Sequence, residues 1–418
     1  MAVTNQTIVT GTRTTSNVNS DMRVRDVENV IALLEPYQTP IEDFFFSGTM
    51  PEEVVTHPRS KFEWFEDAFL PDTMTLVDAI SGGSTTEADI VVSGNYFLAG
   101  DTILIEATGE LARVTAVDTA NTEIDIKRVG GGNLSAAAAG TNIQRIVPAF
   151  VENGSKQSAL TVQAVGRSGY CQILKKGLSM IGRQQAGENY GGNDWDYQWK
   201  KALKEIKEAT ERMYLYNVGA YDDTSGDITY SAGLNGTITT NRGTYSGDLD
   251  ETEFDDILRT VFNAGGSNKR IVMAGSGSLN MVNKFIKAKY ELSDTLNGTG
   301  TLDKYGPVST VGKRPRVMRY LHPQGEIDLV LNPQLKNKYT NSLVIIDPEN
   351  IKKRYMNSDK KGPRKYRREM GIETPGADSY DAQYLFDIGL QVRLEELHGW
   401  YDKAKTIVTG KQIGRAHV

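Results

Sequence analysis

Four histidines, one cysteine and one glycine-rich turn are where this sequence could do chemistry, and none of them is arranged to do it. His57, His322, His398 and His417 are scattered along the 418 residues with no His-Glu-x-x-His and no cysteine pair. Zinc hydrolysis therefore has no motif to stand on, and satisfied or exposed histidines are expected. No Gly-x-Ser-x-Gly elbow is present, so a serine nucleophile on a strained strand-to-helix turn is not expected either. Gly275-Ser276-Gly277-Ser278 has the look of a phosphate loop. It lacks the Gly-Lys-Ser/Thr ending that would hold phosphates and the third glycine of a dinucleotide fingerprint, and reads as a strand-to-helix turn with a serine cap. Expected catalytic residues, metals and cofactors are none.

Charge is more informative than nucleophiles. The net charge is only -6, yet Thr73–Phe150 holds nine acidic residues against four basic, and Lys313–Arg368 fifteen basic against five acidic. Whatever surrounds the second stretch is expected to carry negative charge. Its densest part places Lys360, Lys361, Arg364, Lys365, Arg367 and Arg368 within nine residues. Three readings stay open. The run contacts nucleic acid through phosphates, or pairs across subunits with Asp248, Asp250, Glu251, Glu253, Asp255 and Asp256, or is a solvated loop. Tyr366 alone is too little aromatic interleaving for a single-strand groove.

The elements that must position these residues begin with an apolar arm. Asp21 is placed to cap a helix with Val24, Val27, Val30, Ile31 and Leu34 on one stripe, and Pro36 and Pro40 force extended chain beyond it. Phe44, Phe45 and Phe46 follow, then Phe62 and Trp64. An arm of this kind calls for a partner surface. From Thr73 the character changes to short β-branched runs, Ile103–Ile105, Leu111–Val117 and Ile124–Val129, separated by turns; Ile124 and Ile126 alternate with Asp125 and Lys127 as on a strand with one wet face. The segment reads as a small antiparallel β module set into a two-stranded excursion that resumes at Leu160.

Asp194–Asn217 is the longest regular element. Trp195, Trp199, Ala202, Leu203, Ile206, Ala209, Met213 and Tyr216 recur every three or four residues, with Lys200, Lys204, Lys207, Glu208 and Glu211 on the other face. It makes a spine about 36 Å long. Asp250-Glu251-Thr252-Glu253 resembles a capping box for a helix closed by Gly265-Gly266, and Tyr384–Leu394 alternates as a strand expected to return to the spine. The expected class is α+β, with two domains plus arms. Nothing approaches the ~20 apolar residues of a membrane span, and no apolar run follows a basic stretch in Met1–Ser20, so neither a membrane nor a secretory signal is expected. The lone Cys171 excludes a disulfide within one chain and fits synthesis in a reducing cytoplasm. Asn-x-Ser/Thr matches at Asn5, Asn133, Asn153, Asn235 and Asn297 are then turn composition rather than glycan sites.

Four stretches together resemble the major capsid proteins of tailed phages, the branch with a β insertion in its extended loop. They are Leu34-x-Pro36-x-x-Thr39-Pro40 with Phe62-Glu63-Trp64; Gly166-Arg167-x-x-Tyr170-x-Gln172-Ile173; Ala202–Glu211 of the spine; and Gly371-Ile372-x-Thr374-Pro375-Gly376 through Gly389–Arg393. The resemblance implies a Hong Kong-type fold. In it, residues 1–50 form the N-terminal arm and 51–72 with 151–175 the extended loop. Residues 73–150 are an inserted β domain, 176–216 with 369–409 the peripheral domain with the spine helix, and 217–368 the axial domain. It implies a structural shell protein of the virion, assembled in the host cytoplasm as hexamers and pentamers of itself around double-stranded DNA, with separate scaffold and portal proteins. The expected subunit-interface residues are Leu34, Pro36, Pro40, Phe44, Phe45, Phe62 and Trp64. The other readings are an encapsulin-like nanocompartment shell and a surface glycan-binding or adhesion protein. Residues 411–418 match the translation of a common sequencing adapter, so the natural C-terminus is expected to differ from this one.

Overall fold

In the computed structural model the described residues are 39–404, apart from 58, 95, 151, 153–158, 188–193, 223, 225–226, 285–316 and 359–361. The helix expected over Asp21–Leu34 lies outside them, as do Lys360 and Lys361. The chain divides into two compact units, Glu63–Arg167 and the remainder.

Glu63–Arg167 holds two consecutive hairpins flanked by strands from elsewhere in the same stretch. Its six-stranded sheet runs, in spatial order, Thr73–Thr75, Asn142–Pro148, Asp101–Ile105, Glu110–Asp118, Glu123–Arg128 and Thr86–Val91, all antiparallel. Alternation puts Ile103, Ile105, Ala112, Val114, Ile124, Ile126 and Ile143 on the inside, each at most 1 % exposed, while Asp125 and Lys127 point away as period-two geometry requires.

Among its described residues the remainder holds two large sheets, besides the small hairpin Ala220–Asp222 with Ile228–Tyr230. In the first, Glu52–Val54 pairs parallel with Ile351–Tyr355, which lies antiparallel to Ser379–Val392; Gln172–Ile181 flanks that long strand, and Arg367–Met370 also pairs with it. Phe386, Ile388, Leu390 and Val392 alternate into a core shared with Ile206, Met213, Tyr214 and Leu215 of the spine helix, Asp194–Tyr216. The second sheet has the order Arg242–Tyr245, Gly399–Lys403, Leu343–Ile346, Lys269–Ala274, Gly325–Leu331, Val317–His322. The helix Glu251–Asn263 buries Phe254, Ile257, Leu258 and Val261 in this sheet's core. Its start is the capping arrangement expected: Asp250 accepts from the Glu253 N–H at 2.8 Å, and Gly265 and Gly266 leave its far end at φ 95° and 84°. The Gly275–Ser278 turn does join strand to helix. Ser278 lies inside that helix and donates to the carbonyls of Gly275 and Ser342 rather than capping it.

The short helix Pro40–Phe46 is held in a way the sequence did not announce. Thr39 makes no side-chain cap, so the first free N–H groups need another acceptor. Glu211 of the spine supplies it, accepting from Ile41 N at 3.0 Å and Glu42 N at 3.2 Å. Glu211 was expected on the charged face of the spine and is instead fully buried.

Candidate assembly surface

The residues expected to wait for a partner are mostly buried in their own chain. Pro40 is buried, Phe44 and Phe45 are 8 % and 2 % exposed, and Phe45 meets Tyr214 edge-on at 5.7 Å. Phe62, 5 % exposed, occupies the space left by two glycines. A Cβ on Gly169 would stand 2.7 Å from its ring, and one on Gly389 would stand 2.9 Å from the ring and 2.6 Å from the Tyr170 carbonyl oxygen. Trp64 is half-buried and donates its indole N–H to Glu66 at 2.7 Å. Apolar burial within the subunit thus replaces the expected burial between subunits for Phe44, Phe45 and Phe62. Leu34 and Pro36 lie outside the described residues.

The apolar surface that is exposed lies beside these positions. Phe46 ends its helix 87 % exposed, and Phe65 and Phe69 are 81 % and 99 % exposed. These three rings are the most exposed phenylalanines among the described residues. Sequence reasoning chose the neighbours because it took Phe44-Phe45-Phe46 and Phe62-Glu63-Trp64 as motifs. The helical and strand periodicities, which send Phe45 and Phe46, or Phe62 and Phe65, to different sides, were the available signal.

The basic run is folded in. Arg364 lies 3.4 Å from Asp387, and Arg367 2.7 Å from Glu369. Lys365 sits 5.0 Å over the Tyr355 ring and Arg368 4.6 Å over Trp199. Arg367 and Arg368 belong to a strand, so an unstructured solvated loop does not describe this part of the run. Its supposed acidic mates are also engaged locally: Asp248 with Lys284 and Lys403, Asp250 as the helix cap, Asp255 with the Tyr320 hydroxyl, and Asp256 with Arg259.

Two buried charged hubs went unread. In the first, Lys353 reaches Glu42 at 2.6 Å and Glu52 at 3.5 Å, ringed by Phe45, Tyr355 and Tyr366 at 5.7, 5.1 and 5.0 Å. Tyr366 and Tyr214 donate their hydroxyls to Glu42 at 2.7 and 3.2 Å. In the second, Arg270 and Asp347, both wholly buried, stand 3.3 Å apart beside His398, whose Nδ1 accepts the Asp347 N–H at 3.1 Å and whose Nε2 donates to the Arg393 carbonyl at 3.2 Å. Burial pushes His398 down to about 4, keeping it neutral. Burial pushes the Cys171 thiol up, with Asp387 adding to it, which leaves the thiol inert. Among the described residues no cluster of His, Cys, Asp and Glu could hold a metal ion, and no helix is long and apolar enough to cross a membrane.

Comparison with known families is decisive: the SU10 major capsid protein model matches residues 5–405. The chain belongs to the SU10 major capsid protein family. It is accordingly a structural protein of the phage head that assembles with itself into capsomers, and the family is not one of enzymes. The α+β class and the capsid reading expected from the sequence are borne out. Solved structures similar to this capsid protein include the capsid of a native GTA particle, at 8 % identity and TM-score 0.45 over 94 % of this chain and 98 % of that one. The capsid of Myoviridae phage XM1 matches at 8 % and 0.45 over 95 % and 100 %. The SrpI encapsulin of Synechococcus elongatus PCC 7942 matches at 10 % and 0.41 over 61 % and 81 %. At these scores the likenesses add nothing to the family match. No curated protein matches the chain.

Proposed function

We propose that this capsid protein forms the hexamers and pentamers of an icosahedral tailed-phage head on the Hong Kong-type plan. Residues 1–50 serve as arm, 51–72 and 151–175 as extended loop, 73–150 as an inserted β domain, 176–216 and 369–409 as peripheral domain and 217–368 as axial domain. The observation that carries the reading is the exposure of Phe65 and Phe69, at 81 % and 99 %, on the loop segment. A neighbouring copy covering two such rings would gain about 1.5 to 3 kcal/mol for each. Phe62, filling the glycine slot of its own chain, anchors the base of the loop instead. Double-stranded DNA inside the head is held by sequence-independent, salt-sensitive contact, and scaffold and portal are separate proteins.

Electron microscopy and light scattering of the full chain, with and without its scaffold, test this. Wild type forms capsomers or shells, and the double variant Phe65→Ser, Phe69→Ser stays unassembled with an unchanged denaturation midpoint. A wild type that remains a clean monomer in both settings sinks the proposal.

A further inference from the structure

The buried set around the Pro40–Phe46 helix does not balance its charge. Glu42 and Glu211 are enclosed with a single ammonium, Lys353, and that ammonium is committed to Glu42 and Glu52. Glu211 forms no ion pair among the described residues. Its partners are three neutral donors: the N–H groups of Ile41 and Glu42, and the Asn332 side-chain amide at 2.8 Å. Glu42, on the helix it caps, adds like charge to it. Of the other elements packed around the set, the spine contributes Tyr214 and Thr210, the strand Ile351–Tyr355 contributes Lys353 and Tyr355, and Tyr366 and Glu52 close the far side of Glu42. None of these brings a second cation to Glu211. With every carboxylate ionised, the enclosed set therefore carries an uncompensated negative charge in a medium that penalises it.

We propose that Glu211 is a proton-controlled latch: protonated, it keeps residues 39–46 docked on the spine helix, and on ionisation it loosens that segment, the point at which the N-terminal arm joins the body of the subunit. The inference is independent of how copies contact one another in the shell. Burial, reinforced by Glu42 and opposed by the three hydrogen bonds, pushes the Glu211 carboxyl up to about 8. A carboxyl whose folded value lies above its unfolded one contributes stability that is full in acid and is lost as pH rises through the interval between the two. The docked segment should therefore open more as pH rises and level off near about 8.

Amide hydrogen exchange of the full chain, corrected for intrinsic chemistry and referenced to the helix Glu251–Asn263, reads this directly. Between about pH 5.5 and 8, opening of residues 40–46 should rise relative to the reference by up to about tenfold per unit and then flatten. In Glu211→Gln the rise should vanish. A flat wild-type profile, or a slope that survives in Glu211→Gln, overturns the latch. Should that variant fail to fold, infrared spectroscopy of the wild type decides alone. A protonated-carboxyl band that disappears with a midpoint near about pH 8 supports the latch, and its absence at neutral pH refutes it.

Discussion

The Glu63–Arg167 unit and the rest of the subunit bury different things. Among the described residues of the first, Asp101 is the one buried ionisable side chain, and it serves a turn by accepting from the Leu98 N–H at 2.8 Å. The rest encloses Glu42, Glu211, Arg270, Asp328, Asp347, Lys353, Asp387 and His398. The contrast follows the chain's connectivity. In the β unit, every pairing of the six-stranded sheet closes within the one stretch Thr73–Pro148, two of the five as consecutive hairpins, and alternation of apolar and polar residues suffices to set register. Elsewhere, partners come from far apart: Glu42 and Lys353 are separated by 311 positions, and Glu52–Val54 joins Ile351–Tyr355 as a short parallel strand. Our hypothesis is that buried charge there selects which distant segments pair, because a misregistered pairing would strand an ion without its partner.

The hub should be the most sensitive point. Lys353→Met leaves Glu42 enclosed without its cation and should cost about 3 to 5 kcal/mol in denaturant unfolding of the unassembled protein. The double variant Glu42→Leu, Lys353→Met should recover most of that loss, because a matched apolar pair replaces a matched ionic one. A single variant costing under about 1 kcal/mol would show that the charges select nothing.

Apolar truncations should cost somewhat less and should separate the two regions. Ile105→Ala in the β unit and Ile206→Ala on the spine each remove a buried side chain, 0 % and 3 % exposed, and each should cost about 2 to 5 kcal/mol. The losses should fall on different calorimetric transitions, and a common shift of both would mean the two regions unfold together. Lys200→Ala, on the exposed side of the spine, should move neither by more than about 0.5 kcal/mol.

Acid should also discriminate. His398 is held neutral, at about 4 against an ordinary 6.5, so the unfolded chain takes up its proton first. Stability is then lost as pH falls from 6.5 towards 4, by a total on the order of 3 kcal/mol, and levels off below. His398→Asn should flatten this share of the pH dependence in the transition that Ile206→Ala shifts. An identical pH profile in variant and wild type would remove His398 from the account.

What could be read from the sequence followed the same division. Ile124 and Ile126 against Asp125 and Lys127 announce their strand, because the period of two is a local property and Glu123–Arg128 obeys it. The spine was legible from its stripe, but Glu211 was not. With Lys204, Lys207 and Glu208 it continues a charged face, and only the Pro40–Phe46 helix, 170 positions away, turns it inward. Phe44 and Phe45 were expected to dock on a neighbouring subunit and are buried in their own chain, because a sequence does not say whose surface an apolar side chain meets. The intrachain partners of the basic run, Asp387, Tyr355 and Trp199, are likewise invisible until strand and spine are folded.

Removing the β unit is the sharpest test of the division itself. If the β unit is specified by pairings within its own stretch of chain, removing it should scarcely disturb the charged hubs. The cut falls where the chain returns close to itself: Asp72 accepts through its carbonyl from the Arg145 N–H at 2.6 Å, and the strands on either side, Lys61–Glu66 and Val165–Tyr170, pair with each other. Replacing Thr73–Phe150 by a short Gly/Ser linker therefore shortens a loop whose ends are already held together, and closure entropy changes by only about 0.6 kcal/mol per doubling of length. The transition assigned by Ile206→Ala should stay within about 1 kcal/mol of wild type, while the one assigned by Ile105→Ala disappears. Loss of both transitions would show that hairpin and hub are parts of one cooperative structure, and that their different interiors do not mark separate folding units.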